Sequence, residues 1–311
     1  SSYNYIKDAI ENVETELSFM NCSLSSKAKT PLPKGYRPEL DISLYLNDQQ
    51  TNYYQCLIGI LRRAVELGRL DIYHQVSKMS SYMMAPRKGH LEGLFHIFAF
   101  LKRHMVNRNI CFDDTYPLLD VFFPSNQVSW KYFYPDAKRE DPLDKPEPRG
   151  NLVTLTLWTD ADHAGCRLTR RSHSGILIFI NKALIFWYSK RQTTFETAVY
   201  GSEYIAGKIG VDLVDGLIYK LQMFGIPIDG KVNMFIDNQA MFRTSTIPES
   251  VNKKKHKSIA FHRLRAAVAA AWLRISHVPG ANNLANFLTK KFPIATSTKP
   301  VVKYFGNFNF S

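Results

Sequence analysis

The sequence predicts an α/β domain, a five-stranded mixed sheet flanked by helices, preceded by a mainly helical segment. Three observations predict it. Val153, Leu155 and Leu157 alternate with Thr154, Thr156 and Trp158, the period of a strand with one buried face, and the run ends at Asp160. After it come signals in the order strand, strand, helix, strand, helices, strand, helix. Before it, Ile6, Ile10, Val13 and Leu17 recur at helical spacing.

The first helix covers about 3–19. Residues 21–50 hold few apolar side chains and the phrases Thr30-Pro31-Leu32-Pro33 and Tyr36-Arg37-Pro38, so an extended connection is expected. Further helices are predicted over about 52–67, over about 71–84 with Pro86 as the stop, and from about 89, where Leu91, Phe95, Phe98 and Leu101 share a side. The pair in Cys111-Phe112-Asp113-Asp114 follows a helix directly and lacks a partner carboxylate on a strand, so no polymerase activity is assigned. Pro135, Pro142, Pro146 and Pro148 stand among alternating charges and mark 135–150 as a linker or strap. It separates a helical segment, 1–134, from the α/β domain, 151–292, and 293–311 form a tail.

Within the domain, strands are predicted at 176–180 and 184–188 around the tight turn Asn181-Lys182. A helix then runs over 196–224 despite Gly201, Gly207, Gly210 and Gly216, each costing roughly 1 kcal/mol against Ala. Close packing or sequence decay accounts for them. Val199, Glu203, Ala206 and Gly210 fall on one face, which aims Glu203 at the sheet. A fourth strand, 232–236, again ends in a carboxylate, Asp237. An alanine-rich helix ends near Trp272, a fifth strand covers 273–278, and Asn282 or Asn283 caps a last helix through Lys290. His277 falls inside that strand and is read as structural.

Composition bounds the function. The 311 residues are 45% hydrophobic and 22% charged, as in folded globular proteins. The longest apolar runs are too short to span a bilayer. No basic-then-apolar leader opens the chain, so no secretory signal is expected, and Ser1 in place of Met suggests a piece of a longer product. Cys22, Cys56, Cys111 and Cys166 are scattered, which predicts free thiols in a reducing compartment and no zinc site. The net charge is +13, and residues 151–311, with 21 Lys+Arg against 9 Asp+Glu, carry +12 of it. Such a skew predicts a polyanionic partner, nucleic acid before membrane. Candidate phosphate contacts are Arg170, Arg171, Lys190, Arg191, Lys253, Lys254, Lys255, Lys257 and Arg263.

Seven phrases fall in register: T-D-A-D-H-A-G, T-R-R-S-H-S-G, W-Y-S-K-R-Q, S-E-Y-I-A, I-D-N-Q-A, K-K-K-H-K-S-I-A-F-H and N-N-L-A-N-F-L-T-K. In this order they resemble the ribonuclease H region of copia-type retrotransposon Pol polyproteins. Upstream, T-P-L-P, Y-Y-Q-C-L-I-G and G-H-L-E through F-A-F-L-K-R-H resemble the thumb/connection segment after the polymerase palm. The resemblance implies a ribonuclease H-like sheet and hydrolysis of the RNA strand of RNA/DNA hybrids. It also implies two Mg²⁺ ions, with Mn²⁺ as an alternative, one activating water and one stabilising the leaving oxygen. Implied partners are the hybrid and the remaining palm and fingers. The implied setting is cytoplasmic, in a virus-like particle, with the nucleus as the alternative.

Carried over by position, Asp160 resembles the central metal-bridging aspartate, Glu203 the helix glutamate and Asp237 the third acid. The fourth acid is expected within L-A-D, but here the phrase reads Leu284-Ala285-Asn286. An amide oxygen can ligate but brings no charge, so impaired hydrolysis is expected. The alternative is a catalytically dead nucleic-acid-binding remnant. An integrase or transposase would end its acid set with Glu on the last helix, and none lies between Leu284 and Lys291.

Overall fold

β1 (Leu155–Asp162) is the middle strand of a five-stranded sheet of order β3-β2-β1-β4-β5. The computed structural model describes residues 2–19, 21–105, 113, 115, 117–123, 128–251 and 258–290. β2 (His173–Ile180) and β3 (Ala183–Arg191) run antiparallel in a meander turned at Asn181, whose φ of 53° suits Asn. β4 (Val232–Ile236) lies parallel to β1, and β5 (Leu273–His277) lies parallel to β4. Parallel pairing requires a crossover.

Among the described residues, four α-helices precede the sheet: α1 (Ser2–Phe19), α2 (Asp48–Glu66), α3 (Tyr73–Met79) and α4 (Lys88–Arg103). α2 starts four residues earlier than the apolar pattern, because Asn47 Oδ1 accepts from the Gln50 amide (2.9 Å) and Gln50 Oε1 accepts from the Asn47 amide (3.2 Å). α3 is shorter than its periodicity suggests, with 3₁₀ turns at Leu70–Ile72 and Ser80–Tyr82. Within the sheet region, α5 (Val199–Met223) makes the crossover from β3 to β4, followed by α6 (Gln239–Thr246) and α7 (Ser258–Ala269). No described helix is long and apolar enough to cross a membrane.

β1 departs from the one-faced strand its alternation suggested. Leu155 and Leu157 pack with α5 and α7, while Trp158 on the other face is equally buried and stacks on Phe235 with ring centroids 4.3 Å apart. Phe122 and Phe123 close over Phe235 at 5.5 and 5.4 Å, and Phe122 is held by Ser276, which donates to its carbonyl (2.7 Å). Trp158, Leu177, Phe179, Leu184 and Leu288 belong to the same buried cluster as the apolar faces of α1, α2 and α4. The helical segment therefore helps cover the second face of the sheet.

Residues 135–150 lie along α5. Arg139 donates to Asp215 (2.9 Å) and Gln222 (3.1 Å), and the Arg149 amide bonds the Gly225 carbonyl (2.7 Å). The expected last helix is a 3₁₀ helix, Leu284–Leu288, capped by Asn283, which accepts from the Ala285 amide (3.0 Å). Leu284, Ala285 and Leu288 are all pressed against the sheet, which favours the tighter winding over a full α-helix. The tail, 293–311, lies outside the described residues, as do Cys111, Phe112 and Asp114. Cys22, Cys56 and Cys166 are free thiols.

Candidate active site

Three carboxylates meet at one end of the sheet. Trp158 of β1 pairs level with Phe235 of β4, so the residues two further along, Asp160 and Asp237, arrive side by side. Glu203 reaches the same point from α5. One oxygen from each of Asp160, Glu203 and Asp237 lies within 4.8 Å of the others.

Backbone proximity makes the meeting feasible. A Cβ at Gly210 would sit 2.9 Å from Thr159 Cγ2 and 3.0 Å from Leu157 Cδ1, so only glycine lets α5 lie this close to β1. Glu203 is itself buried, and the backbone at Ala161 of β1 partly offsets the rise that burial imposes on its carboxyl. The predicted face holds at Glu203, Ala206 and Gly210 but not at Val199, which is half exposed because it begins the helix ahead of the sheet contact.

The electrostatics favour a cation. Burial, with the Asp237 charge adding to it, raises Asp160 to about 6 although Lys290 opposes the shift. Burial and the charges of Asp160 and Asp237 hold Glu203 well above the usual carboxylate range. Three oxygen donors in mutual repulsion fit a hard divalent ion, which would relieve that repulsion.

Asn286 stands next to this cluster, half-buried. Its amide nitrogen donates to the Gly280 carbonyl, and its Oδ1 accepts from Lys290 Nζ at 2.5 Å. The same ammonium lies 3.6 Å from Asp160 Oδ1, and Thr289 Oγ1 donates to Asp160 Oδ2. Sequence reading did not single out Thr289 and Lys290, although both stand in the phrase N-F-L-T-K. Gly175, opposite Asp160 on β2, makes room for Thr289 and Leu288: a Cβ there would meet Thr289 Cγ2 at 2.8 Å and Leu288 Cβ at 2.9 Å. His277, exposed at the end of β5, places Nε2 3.1 Å from the Asp237 carbonyl oxygen.

The predicted basic residues do not form one surface. Lys190 and Arg191 end β3, level with Ser174 and His173 of β2 and thus at the acid end of the sheet. Arg170 is exposed in the loop before β2 with a φ of 52°, and Arg171 lies 5.1 Å from the Phe195 ring. Arg263 is engaged inside the protein, donating to Asp212 (2.8 Å) and Asp215 (2.7 Å) on α5. Lys253, Lys254, Lys255 and Lys257 lie outside the described residues.

Strand order, the crossover helix and the three converging acids define a ribonuclease H-like domain. The chain is similar in sequence to retrovirus-related Pol polyproteins of plant transposons. It is 23% identical over 262 residues to the polyprotein of transposon RE1 from Arabidopsis thaliana, a match covering 84% of this chain and 15% of that protein. It is 25% identical over 241 residues to that of transposon TNT 1-94 from Nicotiana tabacum, covering 77% and 15%. The chain thus spans only about a seventh of the curated relatives it matches. No protein-family model matches it. Among solved structures, LC11-RNase H1 in complex with an RNA/DNA hybrid is 20% identical, covers 44% of this chain and 94% of its own, and superposes with a TM-score of 0.34.

Proposed function

We propose that this chain is the ribonuclease H part of a copia-type Pol polyprotein and hydrolyses the RNA strand of RNA/DNA hybrids slowly. The observation that carries the reading is the approach of Asp160, Glu203 and Asp237 to within 4.8 Å from a strand, a helix and a second strand. Bound divalent ions, Mg²⁺ or Mn²⁺, would supply the charge that ionises a water and steadies the leaving oxygen. Asp160, Glu203 and Asp237 would hold the ions, Asp160 as the shared ligand and Glu203 and Asp237 serving the leaving-group ion. Burial keeps competing water off Asp160 and Glu203, and Thr289 fixes the Asp160 rotamer. Asn286 offers the fourth position an oxygen without charge, and that oxygen is already taken by Lys290. Arg170, Arg171, Lys190 and Arg191 would hold phosphates of the bound nucleic acid at the acid end of the sheet, and Lys253, Lys254, Lys255 and Lys257 are further candidate phosphate contacts. Arg263 contributes less, since two carboxylates already neutralise it. The helical segment, 1–134, is the thumb/connection portion, and palm and fingers elsewhere in the polyprotein would complete the hybrid path.

An end-labelled hybrid incubated with Mg²⁺ or Mn²⁺ tests this. The wild-type chain should cut the RNA strand weakly, and Asp160→Asn should stop it. Equal cutting by Asp160→Asn would overturn the assignment. The Asn286 substitution favours a second reading, a binding remnant without chemistry, which predicts hybrid binding and no cutting at any metal concentration.

A further inference from the structure

Beside the acids, between α2–α3 and the outer edge of β3, lies a groove of about 740 Å³. Four cations line it: Arg62 from α2, Arg171 from the loop before β2, and Lys190 and Arg191 from β3. None of the four is ion-paired among the described residues, and the Arg171 Nε is buried without a hydrogen-bond partner. The acid in the lining, Glu66, is already taken by Arg63 at 3.0 Å. Four unneutralised charges around one cavity repel each other, so the geometry calls for a polyanion.

The lining also offers rings. Phe186, 37% exposed, and the partly buried Trp187 lie on the edge strand between the helices and the cations. Unpaired cations along a backbone track, with aromatic faces beside them, are the elements that hold a single strand of nucleic acid. The size agrees: a cavity of this volume encloses a drug-sized molecule, which a nucleotide is and a duplex is not. The position agrees as well. Gly175 lies opposite Asp160, and Ser189 lies opposite Gly175, so Lys190 ends the groove about 10 Å from the acids, two strand spacings away.

We propose that this groove binds an unpaired overhang, a single DNA or RNA strand running on from the hybrid at the acid cluster. It extends the hybrid-cutting reading and takes from it only the origin of the strand. The helical segment thereby becomes part of the nucleic-acid surface through Arg62, which donates to Ser80 (3.2 Å) and is otherwise exposed.

Fluorescence anisotropy on the full chain tests this with three labelled probes: a blunt hybrid, the same hybrid with a single-stranded overhang at either end, and a short blunt DNA duplex. One overhang should tighten binding on the order of tenfold over the blunt hybrid, the scale of stacking one base with phosphate contacts. Arg62→Ala should remove most of that gain and lower the salt slope by about 0.7, one phosphate contact. Blunt-hybrid affinity and the thermal midpoint serve as references. An overhang that adds nothing would overturn the proposal. So would an Arg62→Ala loss of equal size on blunt and overhung probes, or a blunt DNA duplex that binds as tightly as the overhung hybrid. The two readings fail separately. Overhang preference without cutting, in wild type and in Asp160→Asn, would leave the groove standing and remove the nuclease. Cutting without overhang preference would do the reverse.

Discussion

At Asn286 the chemistry turns on one atom exchanged in one side chain. Asn286→Asp adds a charge facing Lys290 and beside Asp160. Divalent-ion affinity, read by calorimetry, should rise by about tenfold, the scale of a second charge-assisted ligand. Cutting at limiting Mg²⁺ should rise with it, and no gain at any metal level would remove Asn286 as the cause of impairment. Asp160→Asn should raise metal-free stability by about 1 kcal/mol, since it removes a buried repulsion, while ending hydrolysis. Chemical denaturation without metal measures the first effect. Asp160, Glu203 and Asp237 were legible from strand ends, helix phase and phrase order. The Thr289 and Lys290 contacts with Asp160 were not, because they join residues 129 and 130 positions apart, where local patterning is silent. Arg62 was illegible for another reason: an exposed arginine on an amphipathic helix looks like any solvated charge.

The elements read well where one periodicity governed them. β4 matched its predicted bounds, and α5 starts three residues later than predicted and ends one earlier. The last helix read poorly, because four apolar residues in a run of five suit either an α or a 3₁₀ winding, and packing on Gly175 decides. The glycines of α5 separate by environment. Gly216 meets nothing within 4 Å, so Gly216→Ala should stabilise by about 0.5–1 kcal/mol. Gly210→Ala would strike Thr159 and Leu157 and should destabilise by about 1–3 kcal/mol, moving Glu203 with the helix. Thermal melts of the two variants should shift in opposite directions. A matching rise in both would mean that these glycines record sequence decay and not close packing.

Across the whole molecule, β2 meets the helical segment at His173. Its ring lies edge-on to His74 of α3 with centroids 4.7 Å apart, and its Nε2 is 2.8 Å from Ser189 Oγ. Burial first, then the charges of His74, Lys78 and Arg191, hold His173 well below its ordinary value. The unfolded chain takes up that proton near pH 6.5 and the folded one resists it, so this contribution to stability is present above about pH 6.5 and falls away below it. Asp160 works in the opposite sense: raised to about 6, it favours the folded state at low pH and loses that contribution as pH climbs from about 4 to 6. Comparing wild type with His173→Gln at each pH isolates the first effect. The variant should lose less stability on acidification by up to about 1.4 kcal/mol per pH unit, and parallel curves would refute it.

The two halves were drawn apart at the proline-rich strap because composition changes there, yet their apolar side chains interlock in one cluster. A protease admitted at 140–148 should therefore leave a nicked particle whose fragments co-elute, and melting should remain a single transition. Severing the covalent thread would change the backbone's connectivity without freeing either portion to drift away.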